Sequence, residues 1–379
     1  MNYDYTDDQK AAFGKFEKFC AERIAPNADG LDKGSQSERE RLLRENVAAL
    51  GEFGYFEMQI PAPDGGGAPL TEIVVYTELL GQACQSTASS ALATILCAKG
   101  IGRFAADDAK QRLLPGLRQG KLIGAFAVTE PGCGSDVAAI ETRATLEGQS
   151  WNLRGVKTMV TNGPLADVAL VLAKTGDEQF GMFLVESGVP GLKAGPTLDM
   201  LGCRGALMCE LRLDGCEAVL LGEPDSGMSQ RDELLLPALA LRAATAVGLC
   251  RAGFEAAVTY SRERKAFGKP IHRFQEVGFK LSDMKMLIDA GGLITRNAAW
   301  LIDSNAPDAT TVAGCAKVFC SEAASKVGSW AVQVHGGYGC LTTSVVERLY
   351  RDAKPGEISG GTNELHRMEI AAQCLRPFK

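Results

Sequence analysis

Histidine is scarce in this sequence: among 379 residues only His272, His335 and His366 occur. They lie far apart, and no two cysteines form a Cys-x-x-Cys pair, so no metal centre is expected. Long apolar runs are missing too. No uninterrupted stretch reaches the roughly 18 apolar residues of a spanning helix, so no membrane span is expected. Nor does charge of one sign dominate. Lys and Arg number 40 against 46 Asp and Glu, a net −6, and the basic residues are spread out, which argues against nucleic acid as a partner. The opening MNYDYTDDQK is acidic and polar, unlike a secretory leader, and a cytoplasmic location is expected. Cysteine, by contrast, is plentiful at 12 residues. Cys250 and Cys315 sit in Ala- and Gly-rich apolar runs, where reduced thiols behave as small core residues.

What is present falls into three textures, consistent with the two or three domains that about 380 residues suggest. Residues 1–122 read as helices. Asp7–Ile24 carries Ala12, Phe13, Phe16, Phe19 and Cys20 at helical spacing, and Leu42–Phe53 and Leu70–Ala83 repeat the pattern. The Pro/Gly cluster Pro61–Pro69 reads as a loop. Residues 123–225 show short alternating or β-branched runs bounded by Gly, Asn and Asp: Ser150–Leu153, Val168–Ala173, Met182–Val185 and Glu210–Leu213. Residues 226–379 return to long apolar helices at Leu234–Arg264, Phe274–Ser304 and Thr310–His335, as expected of a bundle. The fold class is therefore α+β, with an N-terminal helical domain, a middle β-domain and a C-terminal four-helix bundle.

The clearest local motif is Phe126-Ala-Val-Thr-Glu-Pro-Gly-Cys-Gly-Ser-Asp136, a strand running into a turn. Gly132 and Gly134 let backbone N–H groups approach an anionic ligand, and Thr129 and Ser135 add hydroxyls. Taken alone, the segment fits a phosphate-approach loop and a plain connecting turn equally. Further motifs follow: Gly155-Val-Lys-Thr-Met-Val-Thr-Asn-Gly163, Arg262-Glu-Arg-Lys-Ala-Phe-Gly-Lys-Pro-Ile-His-Arg-Phe-Gln275, Gln333-Val-His-Gly-Gly-Tyr-Gly339, Arg351-Asp-Ala-Lys354 and Ile358-Ser-Gly-Gly-Thr-Asn-Glu-Leu-His-Arg367.

In order and spacing these motifs resemble the acyl-CoA dehydrogenase superfamily across essentially the whole chain. The resemblance implies FAD, held between the β-domain and the bundle and completed by a neighbouring subunit in a homodimer or homotetramer. Phe126, Val128 and Thr129 would line the flavin ring edge, with Gly134 in the same turn. Thr161 would bond near flavin N5, and Ser135 would meet the pyrophosphate and the substrate's pantetheine. Met159 stands where members commonly carry a Trp beside the flavin. Arg264, Phe267, Gln275, Gln333, Gly336 and Gly337 would hold the adenine and pyrophosphate of the neighbour's FAD, and Thr362 and Glu364 match tail positions that also touch FAD. On its own Arg264 reads as a solvated helix-end charge; within the motif its planar fork suits a diphosphate. The implied activity is α,β-dehydrogenation of an acyl thioester carried by CoA or an acyl carrier protein, with an electron-transfer flavoprotein as acceptor.

The sequence departs from that family where the chemistry should occur. Gly360 occupies the tail position of the usual catalytic Glu, and Ala238 the alternative Glu position; neither can act as a base. Glu233 and Glu357, the nearest carboxylates, read as solvated charges. Arg242 lies in the apolar run Leu239–Ala246, where a charge needs a partner. It is the one candidate catalytic residue: an anchor for an anionic acyl group, or alternatively a buried salt bridge or a snorkelling side chain. The Ile-x-Gly-Gly-Thr tail also resembles an acyl-CoA desulfinase branch that performs no oxidation. Three alternatives therefore stand beside the dehydrogenase: a redox-neutral acyl-CoA lyase, an FAD-binding non-catalytic subunit of a hetero-oligomer, and a flavin monooxygenase. Ala91, Leu92, Ile95 and Cys97 are candidates for shaping the acyl pocket.

Overall fold

A computed structural model describes residues 5–375. Helix α1 (Asp7–Phe19) starts at a capping box in which the Thr6 hydroxyl accepts from the Gln9 N–H and the Gln9 side chain accepts from the Thr6 N–H. It continues through a π-turn at Cys20–Ile24 and a short 3₁₀ turn into α2 (Ala28–Lys33). Helices α3 (Gln36–Phe53), α4 (Leu70–Ala83), α5 (Gln85–Phe104) and α6 (Asp107–Arg118) complete the first helical region.

Seven strands follow: β1 (Gly124–Ala127), β2 (Arg143–Glu147), β3 (Ser150–Val160), β4 (Val168–Lys174), β5 (Phe180–Glu186), β6 (Leu192–Ala194) and β7 (Cys209–Leu221). β4 pairs parallel with β1 and antiparallel with β5, β5 with β7, β7 with β3, β3 with β2, and β2 returns to β4 at Arg143–Lys174. Strands β2, β3, β7, β5 and β4 thus close into a barrel, with β1 paired only to β4 and β6 only to β7. Alternation assigns the two faces of β4. Ala169, Val171 and Ala173 point into the barrel with Phe183, Leu211 and Leu213, while Val168, Leu170 and Leu172 join the large core shared with the helices.

The chain then enters α7 (Gly227–Glu263), a hairpin of β8 (Lys265–Ala266) and β9 (Lys269–Pro270), and helices α8 (Gln275–Asp303), α9 (Ala309–His335), α10 (Val345–Ile358) and α11 (Asn363–Leu375). Helix α7 is long and apolar enough to cross a membrane, but most of that surface is buried inside the protein, and it is a core helix. Small residues let it cross α4 closely: a Cβ on Gly248 would sit 2.1 Å from the Glu78 carbonyl oxygen, and one on Gly81 would sit 2.7 Å from that of Thr245. All 12 cysteines are free thiols; Cys250 is buried, Cys315 only partly so.

Expectation and structure differ in detail. The Ser150–Leu153 run and the Gly155–Gly163 segment, expected as separate strand segments, join into the one strand β3 ending at Val160. The short strands β2 and β6 offer little signal: Arg143–Glu147 alternates only two apolar residues, Ala144 and Leu146, and Leu192–Ala194 is three residues long.

Candidate functional site

The first cluster forms where β1 and β3 end. Phe126, Val128 and Thr129 are half-buried, while Gly134 and Ser135 stand exposed on the following turn. Backbone bonds between Glu130 and Cys133 close that turn. Below it the Lys157 ammonium, fully buried, donates to the Glu130 carboxylate at 2.6 Å and to the Val128 carbonyl at 3.0 Å. Glu130 also accepts from the N–H groups of Glu141 and Thr142. Burial works against its charge, but these bonds outweigh it and hold its pKa below the usual carboxylate range. Gly155 is required here, since a Cβ would lie 2.3 Å from the Thr142 hydroxyl. The pair fixes the turn and leaves neither charge free.

Beyond Lys157 the β3–β7 register shifts, as at a bulge, and Met159 adopts φ +53 with its side chain 52% exposed. Thr161 is half-buried beside it. Asn162, fully buried, is the anchor. Its amide donates to the carbonyls of Ser90 and Gly124, and its N–H to that of Ala206. Residues 203–206 carry the connection onward, for the Cys203 N–H donates to the buried Asp352 of α10 at 2.6 Å. Burial pushes the Asp352 pKa up to about 6.

The second cluster is the turn between α10 and α11. Gly360 and Gly361 have φ of +71 and +93. Arg242 reaches this turn from α7. Its Nη1 donates to Ser359 Oγ at 2.7 Å, and its buried Nε has no partner. A Cβ built on Gly360 would lie 2.5 Å from that Nε, so the guanidinium packs directly against the residue that lacks a side chain. Two more basic groups hold the turn. Lys317 donates to the carbonyls of Glu357 and Gly361 and to Asn363 Oδ1, and burial, then Arg242, pull its pKa down to about 8. His366 faces the Gly360 carbonyl through Nε2 and the Glu369 carboxylate through Nδ1. Both partners only accept, so both contacts are bonds when the ring carries two protons. Ala238 is buried and apolar. Glu233 pairs with Arg103 in solvent, and Glu357 accepts from Ser325 and Lys354. The Thr362 hydroxyl accepts the Leu365 N–H at the start of α11, and Glu364 is exposed on its first turn.

The third cluster lies at the α7–hairpin corner. Arg264, Gly336 and Gly337 line a cavity of about 520 Å³ together with Tyr260, His335 and Tyr338. Arg264 sits over the Tyr338 ring at 5.7 Å, and Tyr260 stacks on His335 at 4.3 Å. Burial lowers the His335 pKa, and its Nδ1 donates to the Ala331 carbonyl. Phe267, at φ +49, projects from the hairpin 95% exposed. Gln275 opens α8, and Gln333 lies exposed on the last turn of α9; neither lines the cavity.

These surroundings fit a dinucleotide cofactor. Cβ atoms built on Gly132, Gly134, Gly336 or Gly337 would meet nothing within 4 Å, which leaves backbone N–H groups approachable. Among the described residues no carboxylate pairs with Arg264, so its guanidinium is available to a diphosphate. The motifs had contained Glu130, Lys157, Ser359 and His366 without assigning them roles; the signal for the first two was a lone charge within each apolar strand segment.

Fold and site together define an α–β–α protein built around a nucleotide-cofactor cradle. The chain matches the acyl-CoA dehydrogenase N-terminal domain over residues 6–121, the middle domain over 125–216 and the C-terminal domain over 225–375. It is 35% identical to the benzylmalonyl-CoA dehydrogenase of Aromatoleum aromaticum, over 98% of this chain and 99% of that one. The structure of butyryl-CoA dehydrogenase from Megasphaera elsdenii superposes with a TM-score of 0.90 at 32% identity, covering 99% of this chain and 100% of that one. A Bacillus anthracis acyl-CoA dehydrogenase complexed with FAD gives 0.91 at 27% identity, covering 99% and 68%. The chain belongs to the acyl-CoA dehydrogenase family.

Proposed function

We propose that this chain is an FAD-dependent α,β-dehydrogenase of acyl thioesters, carried by CoA or an acyl carrier protein and acting in the cytoplasm. The observation that carries the reading is the intact first cluster, in which the buried Glu130–Lys157 pair and Asn162 fix the segments bearing Thr129, Met159 and Thr161. On this reading Phe126, Val128, Thr129, Met159 and Thr161 line the flavin edge, Gly134 and Ser135 the pyrophosphate and pantetheine side, and Thr362 and Glu364 the tail side. When bound, FAD supplies the two-electron acceptor that the oxidation needs. The chain's own part is to hold the thioester. The N–H groups of Gly360 and Gly361 have no backbone acceptor among the described residues, and they serve as donors to the thioester carbonyl, stabilising enolate character.

Arg264, Phe267, Gln275, Gln333, Gly336 and Gly337 serve the FAD of a neighbouring subunit. Helix α8 supports such an assembly, because Phe279, Met286, Leu293 and Trp300 recur every seven residues along it and are all exposed. A homodimer or homotetramer covers this stripe. An electron-transfer flavoprotein is the proposed reoxidant.

One observation favours a second reading. Arg242 fills the space beside Gly360, and Ala238 is apolar, so neither position supplies a base. A redox-neutral lyase reaction that breaks the bond to a β-substituent without removing the α-proton needs neither a base there nor a net hydride acceptor, and would fit that loss. Incubation of the FAD-loaded protein with an acyl-CoA panel and a dye acceptor separates the two. The dehydrogenase reading expects products two mass units lighter with dye reduced in step; a product formed without dye reduction contradicts it.

A further inference from the structure

The turn at Ser359–Gly361 gathers basic groups and leaves one of them with an unused donor. Lys317 uses its protons on two carbonyls and Asn363, and His366 uses its ring nitrogens on Gly360 and Glu369. Arg242 is different. Its one side-chain partner is the neutral Ser359 hydroxyl, its Nε is buried without an acceptor, and among the described residues no carboxylate lies within ion-pair distance. Burial pushes its pKa down to about 10, which still leaves it charged at neutral pH. A cation with a buried, unused donor is costly unless something supplies an anion. The protein does not, although a carboxylate at 238 or 360 would have been in place to do so.

We infer that Arg242 is a specificity-determining residue that binds an anionic group, a carboxylate or an isosteric oxyanion, on a short acyl chain. This rests on the acyl-thioester reading and narrows it to a substrate class. The guanidinium touches Gly360, in the turn whose N–H groups are assigned to the thioester carbonyl, so the anion sits only a few bonds from the thioester. A planar fork suits a carboxylate; Ser359 occupies only Nη1, Nε is buried against Gly360, and Nη2 is the donor without a partner among the described residues. A neutral alkyl chain of the same length would leave those donors unmatched, so discrimination comes from the penalty on the wrong ligand as much as from attraction to the right one.

Succinyl-CoA and butyryl-CoA have equal chain length and differ in the terminal charge. Their binding to the FAD-loaded protein is measured anaerobically by calorimetry, with FAD content recorded for every variant. The wild type should bind succinyl-CoA more than about tenfold tighter than butyryl-CoA. Arg242→Met should lose about a hundredfold for succinyl-CoA and little for butyryl-CoA. Arg242→Lys keeps a charge and should preserve the order of preference. Equal wild-type affinities, or equal losses for both thioesters in Arg242→Met, overturn the inference and leave the acyl-thioester reading standing. A wild type that binds neither thioester overturns both. Should Arg242→Met fail to fold, the wild-type preference and the Arg242→Lys result decide.

Discussion

Two cations of the candidate site, the fully buried Lys157 and the half-buried Arg242, are handled in opposite ways. Lys157 is fully buried against Glu130, whose carboxylate also takes two backbone N–H groups. Arg242 is held by one serine hydroxyl and has an orphaned Nε. The first is a closed circuit: every charge has its partner inside the protein, and the result is a fixed turn. The second is open, with donors waiting for something from outside. The contrast teaches that burial of a charge does not by itself mark function; what marks it is whether the protein completes the hydrogen bonds.

Breaking the closed circuit should have the largest effect. Lys157→Met strands Glu130 in the interior and should cost about 3–5 kcal/mol in denaturant unfolding. The pH dependence follows the sign of the Glu130 shift. Its folded pKa is depressed, so its stabilisation is full above the ordinary carboxylate pKa and is lost as pH falls through the lower folded value. The wild type should therefore lose stability below that range, and Lys157→Met should show a flatter acid limb. Next comes the third cluster. Arg264→Ala removes a fork available to a diphosphate and should weaken FAD binding by about 1.5–3 kcal/mol, read by titrating the cofactor-free protein with FAD. Unchanged affinity would remove Arg264 from the cofactor site.

The smallest effect on stability, and the sharpest on the comparison, belongs to Gly360→Glu. The φ of +71 disfavours a side chain by about 1–2 kcal/mol, and the new Cβ must also displace the Arg242 side chain, whose Nε lies 2.5 Å from it. The new carboxylate would meet Arg242 and be neutralised by it rather than stand free as a base. The single variant should gain little dehydrogenase activity, whereas Gly360→Glu combined with Arg242→Val should gain clearly more, measured by dye reduction with butyryl-CoA. A large gain in the single variant would show that Arg242 does not guard the position.

Much of the fold was legible because long elements carry strong periodicity. Helix α4 appeared with its observed bounds, and α7, α8 and α9 within a few residues at their C-terminal ends. Strands β2 and β6 did not appear, since Arg143–Glu147 exposes four of its five residues and Leu192–Ala194 has only three. The site was legible as motifs but not as circuits. Arg264 and Gly336 sit in separate segments, and only folding brings them to one cavity. The Glu130–Lys157 bond spans 27 residues and the Arg242–Ser359 bond 117. Sequence spacing cannot show that the second guanidinium lies against the missing side chain of Gly360.

The central claim is that an intact flavin-edge cluster still oxidises an acyl thioester although Gly360 and Ala238 carry no base and Arg242 packs against Gly360. Anaerobic mixing of the FAD-loaded protein with acyl-CoAs, followed by flavin absorbance and product mass, tests it most directly. The account predicts that the oxidised flavin band bleaches as an α,β-unsaturated thioester forms, most strongly with an anionic acyl chain. Turnover to product with the flavin band unchanged would contradict it.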